Sequence, residues 1–214
     1  MPQRPLIANG LLSNFINNLL SRLQKLRVKS RWFKKDKEHS IEETAAALAF
    51  IIWRIGSNGI LNLENENFQT DTNKQRLEVI TEFLCFVAHI TDRLTIEFYT
   101  TEERNKFMTE LAMKLAKHYE DNMVDAVGAG KYQMDFVKIL NERLSAYSEF
   151  NFADGKPSFP MLRCFGGYVT DVMGDRANKW ITTQIIDIEA PDAIDSLMKA
   201  MKNFYPEIIA DLKK

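Results

Sequence analysis

Apolar residues recur in steps of three and four through most of this chain, and no stretch of any length alternates as a half-buried strand would. Leu11, Leu12, Phe15, Ile16, Leu19, Leu20, Leu23 and Leu26 lay one apolar stripe along a first helix. Two later helices announce their starts. Ser40 with Glu43, and Thr100 with Glu103, have the spacing of a capping box, in which each side chain satisfies the other's backbone N–H. The pattern predicts helices from Ser40 to a stop at Gly56, from Thr72 to about Tyr99, from Thr100 to Gly128 and from Tyr132 to about Tyr147. Gly128 suits a left-handed helix stop. Pro160 opens a further helix, in the first turn where proline is tolerated. Shorter helices follow Pro191 and Pro206.

Two stretches read as loops. "GSNGILNLENENFQTD", residues 56–71, holds an Asn58-Gly59 turn signal and is rich in Asn and Glu beyond it. "NFADGKPSFP" is the second. The expected fold is therefore all-α: a single compact, bundle-like domain of six to eight helices over residues 40–214. A basic amphipathic N-terminal helix precedes it within residues 1–39.

A chain of 214 residues can bury a sizeable core, as one domain or a domain with an appendage. Its two cysteines, Cys85 and Cys164, form no CxxC, which suits a reducing, cytoplasmic compartment. The longest apolar run, Ala45 to Trp53, stops at Arg54, well short of the roughly 20 residues that span a bilayer. No compact apolar segment with a small-residue cleavage site marks a secretory signal.

Charge is unevenly placed. Residues 1–39 hold nine Lys or Arg against Asp36 and Glu38, a net of +7, whereas the remainder has 19 basic and 27 acidic residues, a net of −8. The cations Arg22, Lys25, Arg27, Lys29, Arg31, Lys34 and Lys35 gather toward the end of the first helix, with Trp32 and Phe33 among them. Aromatic rings at headgroup depth beside cations suit an anionic membrane surface. A protein partner or a second copy of the chain would serve the leucine stripe equally. The acid-free, serine-bearing start also resembles a mitochondrial presequence, an alternative to a cytoplasmic location. Nucleic acid fits less well, because the body of the chain is acidic.

Each of the three histidines has an acid three residues on: His39 with Glu42, His89 with Asp92, His118 with Asp121. His39 precedes the Ser40 cap, so its pair has no helical geometry. Glu78, Glu82, Cys85, His89 and Asp92 share one stripe of the third helix, opposite Ile80, Leu84, Val87, Leu94 and Phe98. Glu82, Cys85, His89 and Asp92 include ligand types for a divalent metal, and Asp92 could orient His89 for metal or proton chemistry. The same stripe is also what a solvated helix face looks like, and a metal needs ligands converging from several elements. His118 lies at the edge of the stripe of Phe107, Leu111 and Leu115, which predicts a half-buried ring partnered by Asp121 or Asn122. Glu-x-x-His, HExxH, GxSxG, Walker A and GxGxxG patterns are absent. Arg163 and Arg176 flank Gly166-Gly167, which reads as a close helix contact rather than a phosphate loop. Two functions follow as expectations. The first is a non-enzymatic helical interaction protein, peripheral to a membrane through its basic segment. The second is a metal-dependent or acid–base enzyme built on His89 and Asp92.

Overall fold

The Ser40–Glu43 capping box forms: the Glu43 N–H donates to Ser40 Oγ at 3.1 Å and the Ser40 N–H to the Glu43 carboxylate at 3.3 Å. In this computed structural model, which describes residues 39–96, 98–174 and 180–205, the box starts α1, Ile41–Asn65. The chain divides between His39 and Ser40 into two units, and the elements below belong to the second. The helix expected over residues 11–35, the one expected after Pro206, and Arg176 lie outside the described residues.

α1 does not stop at Gly56. It runs through the Asn58-Gly59 pair, and most of the expected loop is helix. The reason is packing. A Cβ on Gly59 would lie 2.4 Å from the Phe83 ring, and one on Gly56 would lie 3.2 Å from the Leu84 side chain. Both glycines let a neighbouring helix come close, at a cost of about 1 kcal/mol each in helix propensity. The true stop is Asn67, whose φ of 68° is tolerable for asparagine. Asn67 N–H donates to Glu64 O and Phe68 N–H to Leu63 O, at 3.1 and 2.9 Å, the two bonds of a Schellman ending. Continued this far, α1 is long and apolar enough to cross a bilayer by length and composition, contrary to the expectation from its short apolar run. Of that stretch, 61% is buried within the protein, so its apolarity is used in packing.

Thr72 caps α2, Asn73–Thr95, and Thr100 with Glu103 forms the second box, at the start of α3, Thr101–Val127. Gly128 ends α3 with φ 108°, and α4 follows over Tyr132–Ser148. α2 ends before the expected Tyr99, leaving a short connection to α3. The "NFADGKPSFP" stretch holds a minimal hairpin, β1 Phe152–Ala153 and β2 Lys156–Pro157. Asp154 and Gly155 turn it with φ of 51° and 70°, the pair of positive values that a two-residue hairpin turn needs. Two residues per strand were too few to show as alternation.

α5 spans Phe159–Met173 with Pro160 in its first turn. The chain then forms α6, Ile181–Gln184, a π-helical turn, Ile185–Glu189, and α7, Ala190–Met201, without a break. The Ala190 N–H reaches back five residues to Ile185 O. Pro191 follows directly, and an extra residue in the preceding turn suits a proline that has no N–H to offer. α2 is the central element, packed by α1, α3, α4, α5 and α7. Phe86 stacks flat on Phe165 of α5 at 4.3 Å between ring centres, Phe83 meets Phe165 edge-on at 5.0 Å, and Tyr147 of α4 meets Phe86 edge-on at 5.8 Å. The fold is all-α apart from the hairpin.

Candidate functional site

Most of the polar stripe of α2 is covered, while Glu78 at its start stays partly exposed beside Lys74 at 3.3 Å. Glu82 is 3% exposed, Cys85 0% and His89 3%, which corrects the expectation of a wet face. α4 and α3 cover this side, and they bring the countercharge. Arg143 of α4 holds Glu82 through Nε and Nη2 at 2.8 and 2.9 Å. Arg104 of α3 takes Asp92 in the same two-pronged way, with Nε to Oδ1 at 2.7 Å. A third pair joins the end of α1 to the start of α2: Arg76 reaches Glu64 through Nε and Nη2, both at 2.8 Å. The planar guanidinium fork matches a carboxylate's two oxygens, so each pair fixes geometry as well as charge.

These partners were missed in the sequence, yet a signal was there. Arg143 lies between Leu140 and Tyr147 on the buried side of α4, and Arg104 is one turn before Phe107 on that of α3. An arginine within a helix's apolar stripe must meet a carboxylate somewhere. Arg143 also stacks 3.7 Å above the Tyr168 ring of α5, a cation–π contact.

His89 and Cys85 are both buried, and burial shifts both groups toward their neutral forms. Burial, only partly offset by Asp92, lowers His89 to about 4, so the ring is neutral at pH 7. Its Nε2, like the Tyr147 hydroxyl, is buried with no hydrogen-bond partner among the described residues, and the two rings are 5.5 Å apart. Burial, and then the Glu82 charge, push the Cys85 thiol well above its usual range, away from the thiolate that nucleophilic or metal chemistry requires. Among the described residues, no three or more His, Cys, Asp or Glu side chains gather as a metal would need.

His118 is half-buried as expected, with its ring centre 5.9 Å from that of Trp53. Burial lowers its pKa. Asp121 pairs with Lys117 at 2.7 Å, and the Asn122 amide donates to the backbone carbonyl of His118. Gly166 makes the expected helix contact: a Cβ there would sit 3.0 Å from the Thr182 methyl. The cations Arg22, Lys25, Arg27, Lys29, Arg31, Lys34 and Lys35, with Trp32 and Phe33, fall outside the described residues.

The outer side of the α3–α4 hairpin carries a small apolar patch. Met113 is 52% exposed and Met134 77%, and with Val137 they line a shallow groove of about 540 Å³. Methionine side chains reshape readily, so this surface can adapt to what touches it. No protein-family model, curated protein or solved structure matches the chain.

Proposed function

We propose that the protein is a non-enzymatic helical interaction protein that binds an anionic membrane surface through residues 11–35. The observation that carries this reading is the division of charge, +7 over residues 1–39 against −8 over the rest. A stripe of large apolar residues continuous with seven cations, a tryptophan and a phenylalanine has the composition of a helix lying in a lipid interface. Each Lys or Arg near anionic lipid adds about 1 kcal/mol of attraction. The internal pairing of Glu82 and Asp92 with arginines supports the non-enzymatic side, because those carboxylates are engaged in holding helices together.

Flotation of the full chain with phosphatidylserine vesicles, at low and at high salt, is the test. The chain should float at low salt and be released at high salt, since screening weakens surface attraction. A variant with Arg27, Lys29, Arg31, Lys34 and Lys35 changed to glutamine should remain unbound. If the full chain ignores the vesicles, and removing residues 1–38 merely unfolds the rest, the segment is core and the membrane reading fails. The metal-dependent or acid–base reading of His89 and Asp92 has a separate test. Stoichiometric zinc or iron in the purified protein, lost in His89→Ala, would carry it.

A further inference from the structure

Glu189 differs from the other inward carboxylates. Glu64, Glu82 and Asp92 each hold an arginine, but Glu189, only 2% exposed, has none among the described residues. Its oxygens accept from two neutral amides instead, Asn62 Nδ2 at 3.2 Å and Gln184 Nε2 at 3.1 Å. Among the described residues no Lys, Arg or His lies within ion-pairing distance of it. Removing a carboxylate from water without a countercharge costs several kcal/mol, and two amide bonds offset only part of that. Burial raises the Glu189 pKa, the hydrogen bonds from Gln184 and Asn62 pull it partly back, and the nearby Asp192 and Glu66 raise it again. Among the described residues, two amides are all that offsets the burial of this acid.

The same carboxylate lines a cavity of about 350 Å³. Its apolar part is Ile55, Phe83 and Ala193, and its polar part includes Asn62 and Ser196. Asp192 and Asp195 add negative charge to the lining against a single cation, Lys199. Two features of the fold build this space. Gly59, also in the lining, gives up its side chain so that Phe83 can press against α1. The π-helical turn ends on Glu189 and so helps set where that side chain points along the run from α6 to α7, a known use of such turns at functional sites. The lining is mostly polar, with small apolar patches and one deeply set carboxylate among convergent polar groups, a combination that suits a small charged ligand.

We propose that this cavity binds a small protonated amine, its ammonium group paired with Glu189 and its short carbon chain against Ile55 and Ala193. The ligand's charge supplies what the fold withholds. Three N–H donors on a compact ammonium can meet the Glu189 oxygens while Asn62 and Gln184 keep theirs. Asp192 and Asp195 strengthen the local negative potential that draws a cation in.

Calorimetric titration of the full chain with n-butylammonium chloride tests the proposal, with n-butanol and sodium chloride as controls. Saturable binding of the amine, with neither control binding, is the expected result. Glu189→Gln, which keeps the shape and the capacity for amide hydrogen bonds, should weaken the amine at least tenfold. Ser196→Trp, which fills the cavity and leaves the carboxylate in place, should abolish binding and decides the matter if Glu189→Gln fails to fold. No saturable binding, butanol binding as well as the amine, or an unchanged affinity in either folded variant would overturn the proposal and leave Glu189 as a brace for the π-helical turn. None of these outcomes depends on lipid, so the membrane reading stands or falls separately.

Discussion

Arg143 joins three helices through one side chain: its own α4, α2 through Glu82, and α5 through the Tyr168 ring. Removing it leaves Glu82 buried and charged, which typically costs about 3–5 kcal/mol. Arg143→Ala should therefore lower the urea midpoint sharply, whereas replacing both partners together, Glu82→Leu with Arg143→Met, should recover much of the loss. Equal destabilisation in the single and the double variant would show that the pair adds nothing beyond packing. His89 makes a second prediction, in pH. Its folded pKa of about 4 lies below the ordinary 6.5, so the unfolded chain takes up the proton more readily. The stability it allows is complete above pH 6.5 and is lost as the pH falls toward 4, at up to about 1.4 kcal/mol per pH unit. Urea titrations across that window should show a steeper acid slope for the native protein than for His89→Gln. Parallel slopes would mean that the ring is solvated.

Among the elements, those opened by a local signal were legible: Ser40, Thr72, Thr100 and Pro160 start helices because a cap needs only a few neighbouring residues. The extent of α1 was not, since Gly56 and Gly59 answer to Phe83 and Leu84 of another helix and look like loop residues when read alone. The burial of the α2 stripe was not legible for a similar reason. Periodicity marks a polar side of a helix but says nothing of what comes to cover it, and here Arg143 arrives from 61 residues away. Glu189 gave no local sign at all, because its setting depends on Asn62, 127 residues distant. The α1–α2 contact yields a prediction of its own. Gly59→Ala improves helix propensity by about 1 kcal/mol, yet its methyl group meets the Phe83 ring. Net destabilisation of about 1–3 kcal/mol is expected from such overpacking, to be measured by thermal melting. Phe83→Leu should relieve part of it, and a stabilised Gly59→Ala would show that the ring has room to move.

Across the whole molecule, most packing joins helices close in sequence around α2, with α7 returning to meet α1 and α2. The arginine pairs have an order of their own. Glu64 with Arg76, and Asp92 with Arg104, are each 12 residues apart and bridge consecutive helices, whereas Glu82 with Arg143 spans 61. Loop-closure entropy grows with the length of chain enclosed, so the two short clasps can close while the rest of the chain is still searching. In kinetic language the α1–α2 and α2–α3 hairpins are expected to belong to the folding nucleus, with the α4 clasp locking afterwards. Arg76→Met should then slow refolding, while Arg143→Met should chiefly hasten unfolding. On that order, the later clasp would govern how long the native chain lasts rather than how quickly it is made.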